Sequence, residues 1–231
     1  MSLPTLFLPG TLCDERVWLP VWQKLQVHQR RYVPLQWASS MDEMLALTTD
    51  RVLAGEKVHL AGFSMGGYIA ARWAIDNPDS VASLTMIASS PYGLTAEEEK
   101  RRAQLVTMLK KGSFKPDSPA YITRFVHPDH QNNPDVAGVV QDMGKDLGAA
   151  TLLAHTQATT PRPALTDKLK ACSFPVHIIA AADDQVVTAS VLKDAAETIP
   201  SASYTSVPGA GHMCLLEQPD TMSRILQSIL D

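Results

Sequence analysis

Cysteine is scarce in this chain. Cys13, Cys172 and Cys214 are the only three in 231 residues, an odd count at scattered positions. That argues against a disulfide framework and favours a reducing compartment, so a cytoplasmic location is the expectation. Cys13 and Cys214 are read as small apolar packing residues. No Cys-x-x-Cys or His-x-x-x-His spacing offers a metal site, and no cofactor is expected. Charge is also sparse, at 19% of residues with a net value of −4. No basic stripe and no aromatic–basic interleaving occurs, which argues against nucleic acid as a partner. No apolar run approaches a membrane span, and Met1-Ser2-Leu3-Pro4 lacks the basic segment and apolar stretch of a signal peptide. Internal repeats and low-complexity segments are missing too.

What is present is an alternation. Short β-rich runs at 5–8, 32–35, 57–63, 81–88, 176–181 and 203–207 are separated by helical patterns at 18–25, 41–54, 65–77, 190–199 and 219–230. This is the signature of βαβ units and a parallel sheet, and the near-continuous apolar runs suit strands buried on both faces. Between Tyr92 and Cys172 the alternation stops. About eighty residues without a strand are too long for a plain connection. Thr95 is a helix cap followed by Glu97-Glu98-Glu99, with basic residues later, and 118–126 and 134–156 also read as helical. The expectation is a core of 1–92 and 173–231 with a helical cap inserted at 93–172.

The densest chemical signal is Gly62-Phe63-Ser64-Met65-Gly66, a G-x-S-x-G pattern placed directly after a strand and before a helix. A sharp strand-to-helix turn strains the residue at its apex, and small neighbours relieve the clash. The Ser64 hydroxyl then stands at a helix N-terminus, where developing negative charge is favoured.

A serine nucleophile needs a neutral base, and the base needs an orienting carboxylate. His212 follows the last strand through Gly209-Ala210-Gly211 and is the candidate base. Asp183 and Asp184 follow the fifth strand and compete for the acid role; Asp184 is favoured, with Asp183 read as part of a solvated turn. Of the other histidines, His59 and His177 lie inside strands, whereas His127 and His155 fall in the helical segment and are candidates for lining a pocket. An oxyanion hole needs two backbone donors. One is the N–H of Met65; the other comes from Leu8-Pro9-Gly10-Thr11-Leu12, with Thr11 preferred and Leu12 the alternative.

With these residues in place the chain resembles the α/β-hydrolase superfamily over nearly its whole length. It looks most like small capped carboxylesterases of the pimeloyl-ACP methyl ester esterase type, and is similar to the menaquinone-pathway lyase type. The likeness rests on the elbow, the late acid, the run Gly-Ala-Gly-His-Met-Cys-Leu-Leu-Glu-Gln-Pro at 209–219, and the helical insertion. It departs from the family in three places. Pro9-Gly10 stands where His-Gly is usual. The loop at 34–40 lacks the usual Asp-x-Pro-Gly-x-Gly-x-Ser, which brings Trp37 toward the pocket. The family's N-terminal hairpin has no counterpart, which predicts six wholly parallel strands.

The resemblance implies a serine hydrolase cleaving a carboxylic ester or thioester of a small to medium apolar acyl substrate. Leu12, Trp37, Tyr92 and Met213 are the expected pocket residues. The alternatives are a lyase or carbon–carbon hydrolase of the same fold, which would use the arginines of the insertion (Arg101, Arg102, Arg124 and Arg162), and a ligand receptor without turnover. The partner is a small-molecule ester. An acyl carrier would want a basic patch such as Lys100-Arg101-Arg102, which reads more simply as a solvated helix face.

Overall fold

The computed structural model describes residues 3–231, so the reading at Met1 and Ser2 lies outside it. In chain order the elements are β1 (Thr5–Leu8), α1 (Leu19–Trp22), β2 (Arg30–Tyr32), α2 (Met41–Thr49), β3 (Val58–Phe63), α3 (Met65–Asp76), β4 (Val81–Ile87) and α4 (Ala96–Lys110). They continue as α5 (Pro119–Phe125), α6 (Val139–Ala158), α7 (Thr166–Lys170), β5 (Val176–Ala181), α8 (Ala189–Thr198), β6 (Ala202–Val207), α9 (Cys214–Glu217) and α10 (Pro219–Leu230). The strands form one sheet in the order β2-β1-β3-β4-β5-β6, and every pairing is parallel. Six parallel strands flanked by helices is the architecture expected from the alternation.

Strand periodicity divides the core into two layers. Leu6, Leu60, Met86 and Ile178 face one way and pack with Met44 and Leu192 from α2 and α8 and with Ile69 from α3. Phe7, Ala61, Ile87 and Ile179 face the other way, against Trp18, Val21, Met222 and Leu226. Phe7 takes Trp18 and Trp22 edge-on, at 5.0 and 5.4 Å between ring centroids. Sheet order reverses direction at β1 and β3: one crossover leads outward to β2, and the remainder lead the other way. The loops leaving the C-terminal ends of these two strands therefore diverge and leave a crevice between them.

Several boundaries differ from the sequence reading for identifiable reasons. β2 ends at Tyr32 rather than running over 32–35, because Pro34 has no N–H to give the ladder and turns the chain into a 3-10 turn at Leu35–Trp37. α1 is a single turn, not 18–25. α2 stops at Thr49 rather than 54, with Gly55 at φ 76° closing the connection to β3. β4 stops one residue before Ala88, which adopts φ 47°. The helix expected at 134–156 opens as a wide turn at Pro134–Gly138 and is broken at Gly148, whose φ of 73° is non-helical. α7 and α9 were not foreseen; four or five residues carry too little periodicity to read.

Between β4 and β5 the described residues form helices and no strand. α4 has the full capping box at its start, with Thr95 and Glu98 exchanging hydrogen bonds. The segment returns to the sheet by Leu165 and Leu169, both fully buried in the first core layer. Central burial sets the cost of disturbing the sheet. Leu60 on β3 is fully buried, so Leu60→Ala is expected to destabilise the protein by about 2–5 kcal/mol in chemical denaturation. A loss under about 1 kcal/mol would mean that this layer is not packed as described.

Candidate active site

Ser64 stands at the β3–α3 junction with φ 51° and ψ −116°. Serine has no ordinary reason to adopt that backbone, which costs on the order of 1–3 kcal/mol and must be imposed by its surroundings. The imposing contacts are backbone. A Cβ on Gly62 would come within 2.4 Å of the Gly66 carbonyl oxygen, and one on Gly66 within 2.5 Å of the Leu8 and Pro9 carbonyl oxygens. The Ser64 N–H donates to Ile87 O at 2.8 Å, which ties the turn to β4.

Ser64 Oγ lies 2.9 Å from His212 Nε2, and His212 Nδ1 lies 2.8 Å from Asp184 Oδ2. Asp184 is 4% exposed and His212 3%. The other Asp184 oxygen accepts the N–H groups of Val186 and Val187 at 2.7 and 3.0 Å. With both carboxylate oxygens committed, Asp184 requires a proton on Nδ1, leaving Nε2 to accept from the serine hydroxyl. Asp183 points elsewhere, half-exposed and 3.7 Å from His127 Nε2. The rings of Phe63 and Phe125 flank the imidazole at 5.3 and 5.6 Å.

The loop after β1 is equally constrained. Leu12 adopts φ 54°, and its N–H donates to His155 Nδ1 at 3.1 Å. That removes Leu12 as an oxyanion donor. The N–H groups of Thr11 and Met65 have no protein acceptor among the described residues. His155 is fully buried, and its Nε2 donates to Leu35 O at 3.0 Å. Burial lowers its pKa to about 4, so it is a neutral linker of fixed tautomer rather than a pocket residue. His127 is no pocket residue either: its N–H donates to Glu217 Oε1 at 2.9 Å. Glu217 also accepts from the N–H of Gly211, next to His212. Burial raises the Glu217 pKa above the usual carboxylate range.

Ser64, Thr11, Met65, His212 and Met213 border a cavity of about 530 Å³ between the sheet and the inserted helices, closed by apolar residues such as Leu105, Phe114 and Leu152. Three expected pocket residues are not on its wall. Trp37 is 76% exposed, because the 3-10 turn after Pro34 buries Leu35 and carries Trp37 outward. Leu12 is buried beside Leu109 and Leu152, where its left-handed backbone directs it. Tyr92 packs against the first core layer instead. Cys13 does reach the wall, but burial pushes its thiol up to about 12, so it carries no thiolate at neutral pH.

Sequence reasoning missed Glu217 and the role of His155. Glu217 lies inside the 209–219 run and its burial was not readable from spacing; His155 is joined to Leu12 across 143 positions by one hydrogen bond. No cluster of three or more His, Cys, Asp or Glu that could hold a metal ion occurs among the described residues. No helix among them is long and apolar enough to cross a membrane.

A parallel sheet whose third strand turns through a strained serine, backed by a histidine and an aspartate from later loops, defines a class of α/β protein. Residues 40–219 match the model of the alpha/beta hydrolase fold family, and the chain belongs to that family. It is 28% identical over 180 residues to a protein of Klebsiella pneumoniae named carbamate hydrolase RutD, covering 72% of this chain and 63% of that one. It is 24% identical over 185 residues to a pimeloyl-[acyl-carrier protein] methyl ester esterase of Chromobacterium violaceum, covering 74% of this chain and 69% of that one. The match thus spans under two thirds of the carbamate hydrolase's length. An esterase structure from Thermogutta terrifontis superposes with a TM-score of 0.87 at 22% identity, covering 100% of this chain and 90% of that one. At that identity the likeness shows the fold alone.

The buried His155 gives the site a pH signature. The unfolded chain binds a proton at this side chain below about 6.5, whereas the folded protein resists until about 4. Stability held above 6.5 is therefore lost as pH falls through that window, by at most about 3 kcal/mol. His155→Gln keeps an acceptor for Leu12 and a donor for Leu35 but cannot titrate. Its melting temperature is expected to lack this component between pH 6.5 and 4; identical pH profiles for the two proteins would overturn the assignment.

Proposed function

We propose that this protein is a serine hydrolase of carboxylic esters or thioesters. The observation that carries the proposal is the unbroken path from Asp184 through His212 to Ser64, at 2.8 and 2.9 Å, on a strained turn that opens into a cavity. Ser64 attacks the substrate carbonyl as His212 Nε2 takes its proton, and Asp184 stabilises the imidazolium. The oxyanion is received by the N–H groups of Thr11 and Met65, which are otherwise unpaired. Collapse expels the alcohol or thiol with the proton returned by His212. Water, deprotonated by the same nitrogen, then hydrolyses the acyl-enzyme. The inserted helices of 93–172 serve as the cap, and the apolar wall favours an acyl group of modest size.

The names of the relatives support this reading: one is a methyl ester esterase and another a carbamate hydrolase. A second reading is a lyase of the same fold. It is favoured by the presence of Arg102 and Arg162 on the cavity wall and by a Bacillus subtilis relative, 24% identical over 188 residues, named 2-succinyl-6-hydroxy-2,4-cyclohexadiene-1-carboxylate synthase.

Hydrolysis of 4-nitrophenyl esters from acetate to decanoate tests the proposal. Wild type is expected to show sustained turnover with a chain-length optimum, and Ser64→Ala to abolish it. Asp184→Asn should lower kcat by roughly 10⁴, whereas Asp183→Asn should stay within a few-fold. A folded wild type without turnover would count against the hydrolase, and a reversed ranking of the two aspartates against the assigned relay.

A further inference from the structure

Arg102 and Arg162 are the unexplained charges of this cavity. Both side chains border it together with Ser64. The ion pairs of the described arginines run through Arg16, Arg31, Arg72 and Arg101, and neither Arg102 nor Arg162 meets a carboxylate. Arg102 spends one nitrogen, Nη1, on Thr159 O, Thr159 Oγ1 and Thr160 Oγ1, at 3.4, 2.9 and 3.2 Å. Arg162 spends Nη2 on Ser90 O at 3.1 Å and lays its guanidinium over the Tyr68 ring at 4.2 Å. Its Nε is buried without any partner. Its Nη1 has no protein acceptor among the described residues either, and the side chain borders the cavity.

These guanidinium groups are built in, not stray. Neutral oxygens and an aromatic face fix their orientation. Burial and then the like charge of Arg102 draw the Arg162 pKa down to about 10, which still leaves it protonated at neutral pH. A buried cation that meets no carboxylate directly is costly and is expected to be retained where something anionic comes to meet it. Position says what. Arg162 and Ser64 border one cavity of about 530 Å³, so an anion at Arg162 and a carbonyl at Ser64 can belong to one small substrate.

Charge says how much. Glu98 also borders the cavity, with Oε2 held by the Thr95 N–H and hydroxyl at 2.8 and 2.9 Å. It offsets one of the two positive charges, leaving about one to be balanced. The two exposed arginines of the wall, Arg101 and Arg124, stand toward solvent and are screened. A planar monoanion with two acceptor oxygens suits this balance and the nitrogens that the two guanidinium groups leave without a protein acceptor.

We propose that Arg162, supported by Arg102, binds a carboxylate at the far end of the substrate, so that the preferred substrates are half-esters or half-thioesters of dicarboxylic acids. The proposal deepens the hydrolase reading and rests on it for turnover, though not for binding. Mono-4-nitrophenyl adipate and 4-nitrophenyl hexanoate share a six-carbon acyl chain and differ only in the terminal carboxylate. Wild type is expected to prefer the adipate in kcat/KM by roughly tenfold to a hundredfold, through KM. Arg162→Met should remove most of that preference and Arg162→Lys keep part of it. The exposed Arg224→Gln should leave the ratio as it is.

Adipate binding to the Ser64→Ala protein, by calorimetry, separates the two readings and needs no turnover. Hydrolysis without preference for the adipate, and no adipate binding, overturns the carboxylate site and leaves the hydrolase standing. No hydrolysis, but adipate binding that Arg162→Met abolishes in the Ser64→Ala background, keeps the site and removes the hydrolase. Absence of both overturns both. Should Arg162→Met fail to fold, Arg102→Gln takes its place, with a reduced preference expected and an unchanged one counting against the site.

Discussion

Ser64 holds a backbone conformation that serine avoids, and the remaining geometry of the site follows from that constraint. Its φ of 51° is enforced by the near-contact of the Gly62 and Gly66 backbones and by the approach of Leu8 and Pro9 carbonyls to Gly66. These contacts exist because β3 lies between β1 and β4 at the centre of the sheet, where no local relaxation can move it without disturbing neighbours. The strain is small beside the burial of the two core layers and is sustained by them. It lifts one hydroxyl out of the sheet at the start of α3 and leaves the Met65 N–H unpaired beside it.

The helices between β4 and β5 do more than enclose a cavity. His155 on α6 takes the Leu12 N–H and gives its own to Leu35, so one buried imidazole joins the loop after β1, the turn after β2 and the inserted helices. Glu217 on α9 accepts from Gly211, beside His212, and from His127, which follows α5. The loop after β1 and the loop that carries His212 are thus both fastened to these helices through buried polar groups. A shift of these helices would therefore move both halves of the site together, although none of the three proposed catalytic side chains lies on them.

The parts legible in the sequence were those with strong local signals. Strand periodicity located the sheet, and the glycine spacing around Ser64 located its turn. Asp184 and Asp183 were distinguishable only as neighbours whose side chains diverge; the two backbone N–H groups of Val186 and Val187 that hold Asp184 are a property of the turn. Trp37 misled because an aromatic after a strand carries no sign of which way it faces, and the turn at Pro34 decides that. Arg101, Arg102, Arg124 and Arg162 are named in the sequence reading and all border the cavity, but the surroundings of His155 and of the two partly buried arginines were beyond reach for a different reason. Those surroundings are assembled from positions far apart in the chain, and a histidine or arginine on a helical stretch has the same local signature whether it is solvated or buried.

The cavity joins two environments that ordinarily exclude each other. Leu105, Phe114, Leu152 and Met213 make its wall apolar, which strengthens any electrostatic interaction inside it. The same low polarity makes Arg102 and Arg162 expensive to keep. Carbonyl oxygens of Ser90 and Thr159, hydroxyls of Thr159 and Thr160 and the Tyr68 ring offset part of that cost. They hold each guanidinium group by one nitrogen and leave its other edges without a protein acceptor. A purely structural arginine would gain more by closing those edges on a carboxylate, and Glu98, which borders the same cavity, is instead engaged at the cap of α4. The arrangement forgoes an internal ion pair in favour of an oriented, partly desolvated charge, which is the form in which a cation discriminates best between a charged ligand and a neutral one.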